Sequence, residues 1–538
     1  MIATLALAFV LAPAQMQMDH GAMQMNPAPT LRDGLGNVHH KVNTKNKMAQ
    51  KFFDQGLALS YGFNHHASIA CFEEAAKLDP TLAMAHWGKA YAMGMNINLP
   101  IDAPTNKAAY EEVQKAVALQ DHATQQEKDL IDALATRYSN DDNPDFEKLN
   151  TAYSNAMADY SRKYPDDLDG KTLYAESIMD LHPWKLYTID GQPIAGTETV
   201  VRTLQEVLKK DPKHIGANHF LIHAVEAGPQ PELGLESAKR LGKLAPESGH
   251  LVHMPSHIYL RMGMWDNGVK SNDAALVVDR KFLEKTPDPG VYPMYYIHNF
   301  DMFRACADMA GNYKDAIWGA RNVAEKASTM GPMGEPFAVV PFFEMLRFYK
   351  WNDVLQTPAP ASQSPFVQAV YHYARGMSFA SLGKVDDAQA EMNAFTEQKN
   401  KVTPDMYWGL GPASPVLDVD NDLLAARIMK AKGNQSAEIE LLKKAVAGYD
   451  QIGYDEPADF YYPVRESLGF ALLRNNRFDE AVAVFKEELH RHPNNGRAIF
   501  GLWRAQVVAG NLLDVDAAEE AFKSAWKKAD SGLNLNDL

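Results

Sequence analysis

The sequence predicts an all-α protein, a solenoid of helical hairpins interrupted by irregular insertions. One pattern of leucine, glycine, alanine, phenylalanine and proline recurs near both ends of the chain. Runs that alternate polar and apolar residues, which are typical of strands, are essentially absent. Pro212 and Pro246, which each end a helical segment, lie 34 residues apart, the length of one repeated helix pair. With 538 residues the chain is long enough for a long array of such pairs.

The first 14 residues predict a signal peptide. They form a short apolar run that ends in Ala12-Pro13-Ala14, a small-x-small cleavage pattern, although basic residues are missing from its start. We therefore expect an exported protein, periplasmic or extracellular, whose mature chain begins at Gln15. No other segment is long and apolar enough for a transmembrane helix.

Residues 15–46 form a Met/His-rich segment that we expect to be flexible. Its core, MQMDHGAMQM from Met16 to Met25, interleaves thioethers with an imidazole, a ligand combination that favours copper(I). The stretch resembles the Met/His-rich segments of exported copper-handling proteins. A low-complexity tail without a ligand is the alternative.

The first repeat lies in FFDQGLALSYGFNHHASIACFEEAAKLDP. Small residues such as Gly56 let two helices cross closely, an aromatic such as Phe72 fills the seam between them, and Pro80 stops the second helix. Gln55 stands where a leucine is expected and Ser68 where an alanine is expected. The segment therefore predicts a helical hairpin in spite of these two departures.

The clearest repeat lies near the C-terminus, in PVRESLGFALLRNNRFDEAVAVFKEELHRHP. Leu468, Gly469, Ala481, Phe485 and Pro493 follow the same spacing as the first repeat. This pattern resembles the tetratricopeptide repeat, and weaker copies between the two ends extend the resemblance over most of the chain from about residue 47 onward. The resemblance implies a right-handed solenoid with a concave groove.

On this basis we divide the chain into a signal peptide and four further parts. The flexible segment is followed by an N-terminal array, residues 47–355, with a histidine-rich groove, a linker, residues 356–365, and a C-terminal array, residues 366–538. Irregular insertions at residues 182–197 and 281–293 break the period.

Composition excludes several classes of function. The net charge of −15, without any run of lysine or arginine, argues against nucleic-acid binding. The two cysteines, Cys71 and Cys306, lie far apart in apolar surroundings, so we expect buried thiols rather than a disulfide framework. Phosphate-binding loops, nucleophile elbows and the H-E-x-x-H motif are missing from the sequence.

Histidines are concentrated in the segment GHLVHMPSHIYLRMGMW, which holds three of the eighteen in the chain. The repeat frame starts helical units near Ile215, Gly249 and Ile297. In tetratricopeptide proteins the second, fifth, ninth and twelfth residues of each first helix point into the groove. The resemblance therefore implies that one groove receives the following side chains: His219, His223 and Glu226; His250, His253 and His257; His298 and Asp301.

Imidazoles and a carboxylate on neighbouring helices predict a transition-metal site. Copper, zinc and iron are the candidate ions, because all three accept imidazole ligands. Copper is favoured, and zinc and iron are the alternatives. The predicted ligands are His219, His223, Glu226, His250, His253, His257 and His298. Asp301 and Glu226 are the candidate catalytic carboxylates, as a base or as a group that orients a ligand. Hydrogen-bonded histidines without a metal remain the alternative.

Pro255 complicates this prediction, because a proline is best tolerated in the first turn of a helix. We therefore expect the helix to start near Met254 and to leave His250 and His253 on the loop before it. Two other segments are candidate covers of the groove. His182 to Trp184 opens an insertion, and the run YDEPADFYYPVRESLG could close the far end through three side chains: Glu456, Tyr461 and Arg465.

Two classes of function follow. The first is an exported solenoid that binds a transition metal through groove histidines, either a metal-dependent oxidoreductase or hydrolase or a copper-handling protein without catalysis. The second is an interaction scaffold that binds a peptide or a small molecule in its groove. The histidine-bearing segments also resemble those of uncharacterised exported bacterial tetratricopeptide proteins, a likeness that implies no activity.

Overall fold

The structure, a computed structural model, describes residues 28–509, 512–530 and 532–535. The predicted signal peptide and the stretch Met16 to Met25 lie outside these residues. Within them the all-α prediction is confirmed, because the only strands are the two-residue strands β1 (Tyr407–Trp408) and β2 (Gly411–Pro412), which pair antiparallel. None of the helices in the described ranges is long and apolar enough to cross a membrane.

Between residues 28 and 290 the structure has thirteen α-helices: α1 (Lys47–Tyr61), α2 (His65–Leu78), α3 (Ala83–Met93), α4 (Ala103–Ala118), α5 (Gln125–Ala135), α6 (Phe146–Lys163), α7 (Leu168–Met179), α8 (Thr197–Lys210), α9 (Ile215–Glu226), α10 (Leu235–Leu244), α11 (Gly249–His253), α12 (Pro255–Arg261) and α13 (Trp265–Leu283). The later described helices are α14 (Pro293–Met309), α15 (Tyr313–Ala327), α16 (Val340–Arg347), α17 (Trp351–Gln356), α18 (Pro365–Ser381), α19 (Val385–Lys399), α20 (Ala413–Ala431), α21 (Gln435–Tyr449), α22 (Arg465–Arg474), α23 (Phe478–Arg491), α24 (Gly496–Ala509) and α25 (Leu512–Ala525). Short 3₁₀ helices are Gln120–His122, Pro231–Gly234, Ser328–Met333 and Glu335–Val339.

Successive helices pack as hairpins, and small residues allow the close crossings that the repeat predicts. Phe72 of α2 lies between α1 and α3. A Cβ added to Gly56 of α1 would lie 2.9 Å from the Phe72 ring, and one added to Gly88 of α3 would lie 2.3 Å from it. At the other end of the chain, a Cβ added to Gly469 of α22 would lie 2.6 Å from the Phe485 ring of α23. The same contact therefore builds both ends of the array.

The buried side chains form two large clusters, one reaching from Leu35 to Tyr295 and one from Leu276 to Ala505. The clusters meet along helices α13 and α14, while residues 357–364 form a loop between α17 and α18. A buried guanidinium, that of Arg347 on α16, pairs with Asp308 on α14 and Glu466 on α22. These ion pairs link helices α14, α16 and α22 into one core.

The chain around Pro255 differs from the predicted loop. His250 and His253 lie on the one-turn helix α11, and Met254 keeps helical angles, φ −47° and ψ −35°, into α12. The expectation that these two histidines lie on a loop was therefore wrong. Pro255 occupies the first position of α12, where its missing N–H costs little, and Met254 still donates to the His250 carbonyl at 3.0 Å.

Candidate metal centre

The helices that carry the predicted ligands converge on one place in the molecule. Helices α9 and α11 begin at Ile215 and Gly249, as predicted, and α14 begins at Pro293, four residues before the predicted Ile297. Together with α12 they form two triads of imidazoles, within each of which the ligand nitrogens lie within 4.8 Å of one another. Triad A is His219, His223 and His250, and triad B is His253, His257 and His298.

Both triads lie in the interior rather than in an open groove. Except for the half-buried His298, their side chains are buried, with exposed fractions between 0% and 2%. The Phe63 ring stacks on His250 at 5.3 Å between centroids, and Trp184, from the insertion predicted as a cover, lies 5.9 Å from the His223 ring. Aromatic side chains therefore close the centre where the sequence predicted an accessible wall.

Hydrogen bonds define the protonation of one histidine in each triad. The His219 Nδ1–H donates to the Tyr61 carbonyl at 2.7 Å. The His253 Nδ1 lies 2.6 Å from the amide oxygen of Asn272, whose own Nδ2 donates to the Gly268 carbonyl at 2.9 Å. Since that second bond fixes the orientation of the amide, the His253 Nδ1 must carry the proton. The Nε2 atoms of His219 and His253 therefore present lone pairs.

Each triad contains a pair of nitrogen atoms that face each other closely. The Nε2 atoms of His253 and His257 lie 2.6 Å apart, and those of His219 and His250 lie 3.1 Å apart. Two imidazole lone pairs repel at such distances unless a proton or a metal ion lies between them. In a metal site the second ring nitrogen is commonly held by an oxygen, as it is here for His219 and His253.

Two carboxylates border the triads. Glu226 accepts from the His223 Nδ1 at 2.8 Å, and its second oxygen lies 2.9 Å from the His257 Nδ1. The Glu456 carboxyl also contacts the His257 Nδ1. Burial alone would raise the pKa of Glu226, but His223 and His257 lower it. Burial and the neighbouring Glu226 raise the pKa of Glu456 well above its usual value, so we expect Glu226 ionised and Glu456 protonated.

Burial keeps most of the imidazoles neutral. It lowers the pKa of His219, His250 and His253 well below the usual value for histidine, and the neighbouring imidazoles lower these pKa values further. For His298, burial and the nearby His257 lower the pKa to about 3. Neutral imidazole is the form that binds metal ions. These four imidazoles are therefore in the ligand form at neutral pH without any prior deprotonation.

Asp301 is the one predicted site residue that the structure does not bring to the triads. Its carboxylate accepts from the Arg304 Nε at 2.6 Å, and Arg304 also donates to Glu344 at 2.9 Å. Its side chain lies on the same helix as His298, but the buried guanidinium of Arg304 holds it.

Several contributors to the centre were not found in the sequence. Asn272 and the Tyr61 carbonyl hold two of the imidazoles, yet an asparagine on α13 and a backbone oxygen carry no signal in a single sequence. Glu456 was named only as a group closing the far end, and the structure places it against His257. Its two companions do not reach the triads: the hydroxyl of Tyr461 lies 3.0 Å from that of Tyr373, and Arg465 pairs with Asp450.

A second cluster of titratable groups lines an open cavity of about 720 Å³ between residues 37–41 and helices α5 to α7. Asp169 lies at its centre, 3.0 Å from the His40 Nδ1, 3.1 Å from the His214 Nε2 and 2.6 Å from the Tyr61 hydroxyl. These partners satisfy both oxygens of the carboxylate. The cluster is therefore a complete hydrogen-bonded network.

No family model matches the sequence, and no curated protein matches it. Among solved structures, the chain is similar to yeast Tom70, with 12% identity, a TM-score of 0.27 and coverage of 88% of this chain and 92% of that one. It is similar to the TPR domain of P58(IPK), with 10% identity, a TM-score of 0.21 and coverage of 86% and 99%. It is also similar to human IFIT1, with 12% identity, a TM-score of 0.31 and coverage of 84% and 90%. By its own hairpins and repeat residues, the chain is an all-helical repeat protein that resembles the tetratricopeptide-repeat proteins.

Proposed function

We propose that this protein binds a transition metal ion, copper in preference to zinc or iron, through the buried imidazoles of triads A and B. One observation carries the proposal: in each triad two Nε2 atoms face each other at 3.1 Å or less, and in each pair a backbone or amide oxygen holds the opposite nitrogen of one ring. A neutral, buried, hydrogen-bonded set of imidazoles is a ligand set for copper, zinc or iron. Copper binds most strongly among these ions to a given set of nitrogen ligands.

The carboxylates decide which chemistry the metal would support. Glu226 contacts both His223 and His257, so it is the better candidate for a proton acceptor beside the metal. Asp301 would first have to leave Arg304. The proposal covers a metal-dependent oxidoreductase or hydrolase and, as the alternative without catalysis, a copper-handling protein. Only the copper-handling role requires the Met/His-rich residues 15–46.

The proposal includes export from the cytoplasm. It is supported by the apolar run and the small-x-small pattern of residues 1–14. We expect the mature chain to begin at Gln15. Intact-mass measurement of protein recovered from the periplasm or the medium tests this start, and a cytoplasmic chain that retains residues 1–14 would contradict it.

A scaffold function is the second candidate, because helical solenoids typically offer extended concave surfaces to peptides and proteins. The all-helical repeat fold of this chain supports it directly. A small-molecule ligand in the groove belongs to the same class. The two candidates differ in what they require. A scaffold needs an accessible surface, whereas a metal site needs converging imidazoles. Binding of a partner that is lost on surface substitution, in protein without metal, would favour the scaffold.

The test of the metal proposal is the metal content of protein purified without an affinity tag. We expect at least one bound transition-metal ion per chain and its loss in His223→Ala/His257→Ala, which removes one imidazole from each triad. His122→Ala/His490→Ala is the matched control, because both side chains are exposed and far from the triads in sequence. Substoichiometric metal in the unaltered protein after growth in copper, zinc and iron would refute the proposal.

A further inference from the structure

We propose that the centre holds two copper ions, one in triad A and one in triad B. This inference rests on the proposed function and adds the number of ions. It follows from the separate geometry of the two triads and from the limited number of ligands that one ion accepts.

The first argument is that each triad has its own pair of facing nitrogen atoms. In triad B the Nε2 atoms of His253 and His257 are 2.6 Å apart, and in triad A those of His219 and His250 are 3.1 Å apart. A proton on one nitrogen makes such a pair a hydrogen bond, and a cation that replaces the proton binds both nitrogens. His223 adds an Nε2 that is buried without a hydrogen-bond partner. A cation placed in one triad leaves the facing nitrogens of the other triad unchanged, so each triad is a separate set of ligands.

The second argument is the number of ligands. A tetrahedral ion with bonds of about 2.0–2.1 Å takes four ligands, and the nitrogens around it lie about 3.4 Å apart. The nitrogens within each triad lie within 4.8 Å of one another, so small side-chain shifts bring three of them onto one ion. The two triads share no imidazole. Six imidazoles therefore exceed what one tetrahedral ion can bind.

The experiment counts copper(I) ions in the full chain. The Met/His-rich stretch must first be silenced, because its thioethers would bind copper(I) on their own, so the starting protein carries serine at Met16, Met18, His20, Met23 and Met25. Copper(I) is titrated anaerobically against a chromogenic chelator, and protein-bound copper is then measured by elemental analysis. We expect two ions per chain.

Two double variants assign the ions to the triads. We expect one ion per chain in His219→Ala/His250→Ala and one in His253→Ala/His298→Ala, while the exposed pair His122→Ala/His490→Ala keeps two. X-ray absorption on the starting protein is independent of these substitutions and of their effect on folding. It should show three nitrogen ligands per copper ion.

The outcomes separate this inference from the proposed function. One ion in the starting protein, lost in both triad variants, would overturn the two-ion inference and leave metal binding standing. Two zinc ions without copper(I) binding would overturn the choice of copper and leave the two-ion inference standing. Absence of any metal, or two ions that persist in both variants, would overturn both proposals.

Discussion

Gly249→Ala should lower the free energy of unfolding by about 3–5 kcal/mol and abolish the metal binding that we propose. A Cβ at Gly249 would lie 1.6 Å from an oxygen of Asp279, a buried carboxyl group that Tyr292 and Asn299 hold by hydrogen bonds of 2.8 and 2.6 Å. The clash must be relieved by moving Asp279 away from these donors or by displacing α11. Overpacking and a buried polar group left unpaired each cost about 1–3 kcal/mol.

The effect on the metal follows from what α11 carries. This one-turn helix holds His250 of triad A and His253 of triad B, so its displacement disturbs both. Denaturant unfolding and metal analysis of the same preparation measure the two effects.

Gly242→Ala is the matched control. Gly242 lies inside α10, and a Cβ there would meet only the Val252 backbone at an ordinary distance of 3.5 Å. Alanine inside a helix is more favourable than glycine by about 0.5–1 kcal/mol. The control should therefore gain stability and retain its metal. Equal stability of the Gly249 and Gly242 variants would show that the close contact at Gly249 is not sustained in solution.

Arg137→Met should lower the free energy of unfolding by about 3–5 kcal/mol at pH 7. Arg137 pairs with Asp180 at 2.6 Å, and both side chains are 1% exposed. Removing one member of a buried ion pair leaves the other charge uncompensated. Asp180 follows α7, which packs on α9, the helix that carries His219 and His223. The pair therefore supports one wall of the centre.

The pH dependence and a second variant identify the cause of this loss. Burial raises the pKa of Asp180 to about 6 even with Arg137 beside it. Without Arg137 the pKa is higher still, so Asp180 is neutral at pH 5 and the destabilisation should be smaller there than at pH 7. Arg137→Met/Asp180→Leu should recover most of the loss, since it removes both charges. Urea unfolding at both pH values measures this, and an equal loss in the single and double variants would contradict the argument.

The repeat residues predicted the helices well, because their effect is local. The close packing of Phe72 on Gly56 depends on residues within one hairpin, and a spacing of fixed length reports it. The same frame predicted the beginnings of α9 and α11. It also placed His219, His223, His257 and His298 on faces that meet, because residues three, four and seven apart share one side of a helix.

The prediction of a loop before Pro255 was wrong for a physical reason. A proline removes one helical hydrogen bond, but its fixed φ suits the first position of a new helix. A one-turn helix such as α11 therefore joins directly to α12. The rule that prolines interrupt helices correctly located the boundary between α11 and α12, but it wrongly predicted a loop before Pro255. His250 and His253 lie on α11 instead.

By itself, the sequence determined the all-helical repeat fold, since short-range periodicity records it, and its resemblance to tetratricopeptide repeats implied the set of candidate ligands. Only the tertiary structure decided that the six imidazoles form two triads, that Asn272 and the Tyr61 carbonyl orient two of them, and that Glu456 reaches His257 across roughly two hundred residues of chain. It also decided that Asp301 turns to Arg304. Except for the pair of Asp301 and Arg304, which lie three residues apart on α14, these contacts join distant parts of the chain. Their geometry depends on how every intervening helix packs, which no local spacing records.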